Sequence, residues 1–311
     1  MHTHEIYTVH SIYREDMKIV GYTFGQGERS ACIVGALRGN EIQQMYVCSQ
    51  LIQALKELEN NNCISTGKQI QVIPVVNSYG INVGRRFFGV DNSDLNRAFP
   101  GNSYGEQDRR IAHALLEDMG SYIYGIQFAS FYMEGEFMPH VRMMETGYQN
   151  TSLANLFGLP YVVVHKPAPI DTGTLNYNWQ DENTAAFSLF TKTNREIDEP
   201  SARQAVAAVL RFLKRMGIIR YDSHSGYISH VLYEQDLSDV YAGHAGIFLG
   251  LVRPGDDVRY GRPMAEIIDP QEGTVRETIL APTDGIVFFA HTKALINQGD
   301  IVYRLVHRLH E

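Results

Sequence analysis

The chain has 311 residues, enough for one large domain or two ordinary ones. Hydrophobic residues make up 44% and charged residues 20%, so a sizeable core is available, as in ordinary globular proteins. The formal net charge is -8 with no Lys/Arg block, which argues against a nucleic-acid partner, and no apolar run approaches the roughly 20 residues that span a bilayer.

The first 16 residues are polar and carry acids, so they do not read as a secretory signal. The three cysteines, Cys32, Cys48 and Cys63, match no metal or disulfide spacing. Cys32 lies in an apolar run and Cys48 in a helical pattern, and both read as buried thiols. A reducing cytoplasm fits this usage.

Residues 17–23 predict a strand. Residues 31–37, ACIVGAL, predict a strand buried on both faces. Arg38, Gly39, Asn40 and Glu41 follow at once, and Ile42, Met45, Tyr46, Ile52 and Leu55 then recur at helical spacing. Arg38 to Glu41 therefore sit at the carboxyl end of a sheet strand, the edge where open α/β sheets bind ligands. Residues 69–76 form the next strand. The stretch 77–101, NSYGINVGRRFFGVDNSDLNRAFPG, then reads as a long loop holding Arg85, Arg86, Asp91, Asp94, Asn96 and Arg97 among Phe87, Phe88, Leu95 and Phe99. Long loops of this kind are functional or disordered, and so many large apolar residues argue for order.

Residues 106–119 predict a helix and 122–131 a strand. Residues 132–148 read as irregular and carry Glu134, Glu136, His140, Arg142 and Glu145. A short helical SLANLFG precedes a strand at 160–165, which ends on His165. A loop rich in Pro, Thr and Asn separates it from a strand at 185–191. Residues 199–217 form the clearest helix, with Pro200 in the first turn and Gly217 just past the end. Strands alternating with helices imply an α/β fold over residues 1–220, with a mostly parallel mixed sheet and helices on both faces.

From about residue 221 helical periodicity disappears. A weak repeat relates Gly246-Ile247-Phe248, Val258 and Gly261 to Gly285-Ile286-Val287, Ile296 and Gly299. Two similar halves of this size predict a small all-β barrel or sandwich over residues 221–311. It resembles the biotinyl/lipoyl-like module. Residues 269–285, between the halves, contain no lysine, which argues against a swinging-arm carrier.

The unit strand–Gly-x-x-x-Gly-Asn-Glu–helix at 35–41, followed by Asn-x-x-Gly and by Asp-Leu-Asn-Arg-Ala-Phe-Pro-Gly at 94–101, resembles the succinylglutamate desuccinylase/aspartoacylase family, relatives of the zinc carboxypeptidases. The resemblance spans nearly the whole chain. It implies a zinc-carboxypeptidase-like fold and hydrolysis of an N-acyl amino acid. In the family, zinc on two His and one Glu polarises water and the scissile carbonyl. A later Glu moves the proton, and an Asn-Arg pair with a second Arg clamps the substrate carboxylate.

Carried over residue by residue, the family's substrate clamp falls on Asn96, Arg97 and Arg86. The first zinc-ligand pair falls on Arg38 and Glu41, so only Glu41 keeps a ligand type. The third ligand falls on Gln127 and the catalytic Glu on Phe190. Arginine stays protonated and cannot ligate zinc, and Gln is a poor ligand for it. The Arg38 guanidinium is therefore expected near the place of the metal, paired with Glu41. His140 is a further candidate, as a substrate contact, a substitute ligand or an ordinary loop histidine. Asn96 and Arg97 either hold a ligand or tie down their own loop through Asp91 or Asp94. His165 reads as structural, and Glu134 and Glu136 as solvated loop acids. His224, His230, His244, His291, His307 and His310 show no ligand pattern.

The favoured reading is a member that keeps a carboxylate-binding cleft without the zinc hydrolase site. It would act as a binding protein, as partner of an active paralogue, or on different chemistry. Its ligand would be a small carboxylate, with no cofactor and with a homo-oligomer or paralogue as possible company. One alternative is a deacylase whose metal sits on Glu41, His140 and an acid from 134–136. Another is an interaction protein with a vestigial cleft.

Overall fold

The computed structural model describes residues 1–13, 15–89 and 92–307, so Asp91 and His310 lie outside the described residues. Its elements fall into two compact units, Met1–Ser130 with Pro139–Val231, and Phe131–Met138 with Leu232–Glu311. The second unit takes in 131–138, which the texture of the sequence does not set apart.

The first unit runs β1 (His2–Val9), β2 (Met17–Gly25), β3 (Gly27–Ala36), α1 (Ile42–Asn60), β4 (Gly67–Val75), α2 (Ser78–Val83), α3 (Gln107–Met119) and β5 (Tyr124–Ala129). After β6 (Gly135–Phe137), which pairs in the second unit, come β7 (His140–Met144), α4 (Thr151–Asn155), β8 (Tyr161–His165), α5 (Leu175–Asp181), β9 (Ala185–Phe190) and α6 (Glu199–Arg215). Strand β10 (His230–Tyr233) closes a sheet of order β1-β2-β4-β3-β5-β9-β7-β8-β10. The middle of the sheet, β4-β3-β5-β9, is parallel, as is β7-β8. The pairs β1-β2, β2-β4 and β7-β9 are antiparallel. The fold is thus the mixed α/β sheet that the alternating pattern implies.

Alternation along β3 divides the core. Ala31 and Ile33 pack with the apolar faces of α1 and α6, including Leu51, Leu55, Val209 and Phe212. Cys32 and Val34 pack on the other side with Leu115 of α3 and Trp179 of α5. Helix α6 is started by Asp198, whose side chain accepts from the Ser201 amide at 3.3 Å, and Gly217 follows its end at φ +69°.

Helix α2 and strand β6 fall in stretches that read as loop and as irregular, and three further elements differ from the sequence expectation. Residues 140–144 are the strand β7, not a loop, and His140 is fully buried in it. The run HVRMM is short, with polar residues on one face, and gives little alternation to read. Residues 175–181 are the helix α5 inside the expected loop. Its Asn-rich sequence has low helix propensity, but the Thr174 side chain caps it and Leu175 and Trp179 are buried. Residues 2–9 pair with β2 although they read as a polar terminus.

The second unit adds β11 (Leu237–Tyr241), β12 (Gly246–Gly250), β13 (Asp257–Val258), β14 (Pro263–Ile268), β15 (Val275–Leu280), β16 (Gly285–His291), β17 (Leu295–Ile296) and β18 (Ile301–His307). The repeat read in the sequence is a structural one. Strand β12 pairs with β14 in one half and β16 with β18 in the other. The short strands exchange, since β13 joins β16 and β17 joins β12. Each half completes the other's sheet around a shared core of Val258, Met264, Val287, Ile296 and Tyr303.

Candidate functional site

The turn after β3 brings Arg38 and Glu41 together at the carboxyl edge of the sheet. Gly39 allows this. A Cβ there would lie 2.2 Å from the backbone of Gly80 and 2.3 Å from the Arg85 carbonyl. The Gly39 amide donates to the Arg86 carbonyl at 3.2 Å, so the turn is docked on the loop after β4. The two glycines of the motifs face each other because no side chain fits between the two backbones.

Arg38 is 4% exposed and Glu41 is fully buried. The Arg38 guanidinium forks onto Asp94, with Nε 2.9 and 3.1 Å from the two carboxylate oxygens and Nη2 2.9 Å from Oδ2. Its Nη1 lies 3.5 Å from Glu41 Oε1 and donates to the Ser130 carbonyl at 3.3 Å. Glu41 also accepts from the Arg38 amide at 2.9 Å and from the Ser130 hydroxyl at 2.5 Å. Arg86 reaches that hydroxyl at 3.4 Å. The result is a quartet of Arg38 and Arg86 against Glu41 and Asp94, with Arg38 and Glu41 buried and Arg86 and Asp94 half-buried.

The charges of this quartet set its protonation. Burial pushes the Glu41 carboxyl above the usual glutamate range, and Arg38, Ser130 and the Arg38 amide only partly offset it. Burial acts the same way on Asp94, but the Arg38 fork outweighs it and holds that carboxyl below its ordinary value. Burial and the like charge of Arg38 lower Arg86 to about 10, so it stays charged at neutral pH.

Beside the quartet opens a cleft of about 480 Å³, open solvent included. Arg38, Asn96, Arg97, Gln127, Ser130 and Phe190 line it, as do Arg142, His165, Asp171, Asn176 and Ser188. Of the residues singled out in the sequence, Arg38, Asn96, Arg97, Gln127 and Phe190 meet here. Arg86 touches the site through Ser130. His140 lies under Phe190, its ring stacked at 4.9 Å between centroids and an angle of 4°.

Asn96 and Arg97 have partners outside their own loop. The Asn96 side-chain oxygen accepts from the Leu175 amide at 3.1 Å. Arg97 Nη1 donates to the Ile170 carbonyl at 2.7 Å and to Asp171 at 2.9 Å. They fasten the turn at 95–97 to the segment that leads into α5. His165 lines the cleft with Nδ1 on the Met143 carbonyl at 2.9 Å and Nε2 4.0 Å from Asp171.

Sequence reasoning missed Ser130, Arg142 and Asn176. Ser130, three residues beyond Gln127, is the β5-side residue that touches Glu41. Arg142 hides in the short strand β7. Asn176 sits on a helix that its composition does not announce.

The chain matches the family model for the succinylglutamate desuccinylase/aspartoacylase catalytic domain over residues 28–216. The chain belongs to the succinylglutamate desuccinylase/aspartoacylase family. A related protein, the N-alpha-acetyl-L-2,4-diaminobutyric acid deacetylase of Halomonas elongata, is 22% identical over 89% of this chain and 82% of its own length. A succinylglutamate desuccinylase structure from Silicibacter superposes with a TM-score of 0.81 at 18% identity, covering 98% of this chain and 95% of that one. The product-bound structure of the ectoine utilization protein EutE from Ruegeria pomeroyi gives a TM-score of 0.80 at 18% identity, with the same coverage. These likenesses establish the shared fold.

Zinc in such a fold needs imidazole, thiolate or carboxylate donors around an open position. In this cleft Arg38 is a permanent cation, and the Ser130 hydroxyl donates to Glu41. Among the described residues no group of three or more His, Cys, Asp or Glu side chains comes together to hold a metal ion. The residues present do not fit the ion. Glu134 and Glu136 belong to the second unit, where Glu134 pairs with Lys293 at 3.2 Å. His244 likewise pairs with Glu277 at 3.2 Å. No helix among the described residues is long and apolar enough to cross a membrane.

Proposed function

We propose that this family member binds a small carboxylate-bearing ligand in its cleft and does not carry out zinc-dependent amide hydrolysis there. One observation carries this reading: a guanidinium, forked onto Asp94 and facing Glu41, fills the turn on which the family resemblance places the first zinc-ligand pair. The lining has three arginines, Arg38, Arg97 and Arg142, to one acid, Asp171, and planar guanidinium groups suit carboxylates. Ser188 and Phe190 occupy the strand end where the resemblance expects the catalytic Glu. No cofactor is called for. The three cysteines are free, which suits a reducing cytoplasm.

The test uses the purified chain incubated with Zn²⁺ and then freed of excess metal. Elemental analysis should find well under one zinc per chain. Acetyl and succinyl amino acids should not be hydrolysed, while calorimetry should detect a small carboxylate. Stoichiometric zinc together with hydrolysis would overturn the proposal.

A further inference from the structure

The floor of the cleft carries a polar row that the metal question leaves unused. Gln127 on β5 lies in register with Ser188 on β9, and Ser188 with Arg142 on β7. All three share the face of the sheet opposite Ile126, Phe187 and Val141, which are packed in the core beneath α1 and α6. Helix α5 covers this face. The ring of Trp179 would meet a Cβ at Gly125, two residues before Gln127, at 2.6 Å. From the same helix Asn176 joins the lining.

Gln127 and Asn176 are each 1% exposed. The Gln127 Nε2 and both amide atoms of Asn176 have no hydrogen-bond partner in the protein. Buried amide atoms are nearly always paired, so three unpartnered ones lining one cleft leave hydrogen-bonding capacity there for a bound group. Together they offer two donors and one acceptor. Asn176 presents its donor and acceptor side by side on one planar edge.

We propose that this floor reads a primary carboxamide or ureido group, so that the ligand is a small carboxylate carrying such a group. The inference rests on the reading of the cleft as a carboxylate site. A primary carboxamide has its C=O and one N–H on the same edge, and it closes a two-bond ring with Asn176. The second lone pair of its carbonyl is left for Gln127 Nε2. The ordinary secondary amide of an N-acyl amino acid is trans, with C=O and N–H on opposite edges, and cannot make that ring. The floor therefore discriminates against the amide that deacylases cut.

Three four-carbon probes isolate this feature: succinamate, succinate and N-acetylglycine. Calorimetry on the full chain should find succinamate bound at least tenfold tighter than either of the others, about 1.4 kcal/mol. Asn176→Leu and Gln127→Met keep the number of side-chain heavy atoms and should each bring the ratio of succinamate to succinate affinity down to about one. If Asn176→Leu does not fold, Gln127→Met carries the same comparison. Equal binding of the three probes, with water filling the floor, overturns this inference and leaves the carboxylate reading standing. So does a succinamate preference that survives both substitutions. Failure of all three probes to bind overturns both.

Discussion

Arg38 and Asp94 are 56 residues apart in sequence and meet in a two-point fork, with three N···O distances between 2.9 and 3.1 Å. The fork joins the turn after β3 to the loop after β4, and Glu41 hangs from the same guanidinium. Removing the arginine leaves two carboxylates, one fully buried, with half-buried Arg86 as the remaining cation of the quartet. Arg38→Met should therefore cost about 3–5 kcal/mol, the scale for breaking a buried ion pair from one side. Arg38→Lys should cost less but remain unfavourable, since an ammonium cannot fork. Urea denaturation reads both, as a lower midpoint at unchanged slope. An Arg38→Met variant as stable as the parent would mean that the fork contributes nothing.

The same pair predicts an acid limb. Unfolded, Asp94 has the ordinary aspartate value of 3.8; folded, it is held lower. The folded state thus releases this proton more readily. The stabilisation is fully present above the ordinary value and is lost as pH falls through the folded one. Asp171 works in the same direction: burial would raise it, but Arg97 holds it low. Glu41 works the other way, because its folded value is raised and its contribution declines as pH climbs past 4.5. Asp94→Asn should be less stable than the parent between about pH 6 and 8, and the gap should narrow progressively as pH falls below 3.8. A gap independent of pH in denaturation curves would assign the loss to packing.

Much of this was legible in the sequence for definite reasons. The strand 31–37 was readable because both its faces are buried, and α6 because its cap, its Pro and its trailing Gly agree. The repeat in 246–301 was readable because the exchange of β13 and β17 forces the same spacing on both halves. The site was legible at the motif turns, where glycines and charges cluster, and at Gln127 and Phe190, to which the family resemblance pointed. The rest of its floor was not, since Arg142 lies in a five-residue strand and Asn176 in a seven-residue helix held by tertiary contacts. Ser130 was invisible because nothing in its neighbourhood marks it; only the approach of β5 to the turn after β3 gives it a partner.

Gly39 tests whether the docking of the two motif loops holds the site together. Any side chain there must push against backbone at Gly80 and Arg85, which cannot move aside as a flexible side chain could. Gly39→Ala should cost at least the 1–3 kcal/mol typical of overpacking, read by thermal or urea denaturation. It should also loosen Arg86 and Arg38, seen as faster amide exchange in residues 84–89. Unchanged stability would show that the loops part without penalty.

Either Gln127 in β5 or Ser130, just past its end, stands where a third metal ligand would. The resemblance in sequence points to Gln127, but the side chain that touches Glu41 is Ser130, at 2.5 Å. Zinc needs donors about 2.0–2.2 Å from one point, so the ligands must be mutual neighbours. An imidazole at 130 can share an ion with Glu41 and an imidazole at 38. The double variant Arg38→His with Ser130→His should bind zinc with a dissociation constant at least tenfold below that of Arg38→His with Gln127→His. The order of the two constants does not depend on either protein's overall stability, provided both fold. Zinc calorimetry, with circular dichroism to confirm folding, decides between them. The reverse order would place Gln127 at the ligand position and make the Ser130 contact incidental.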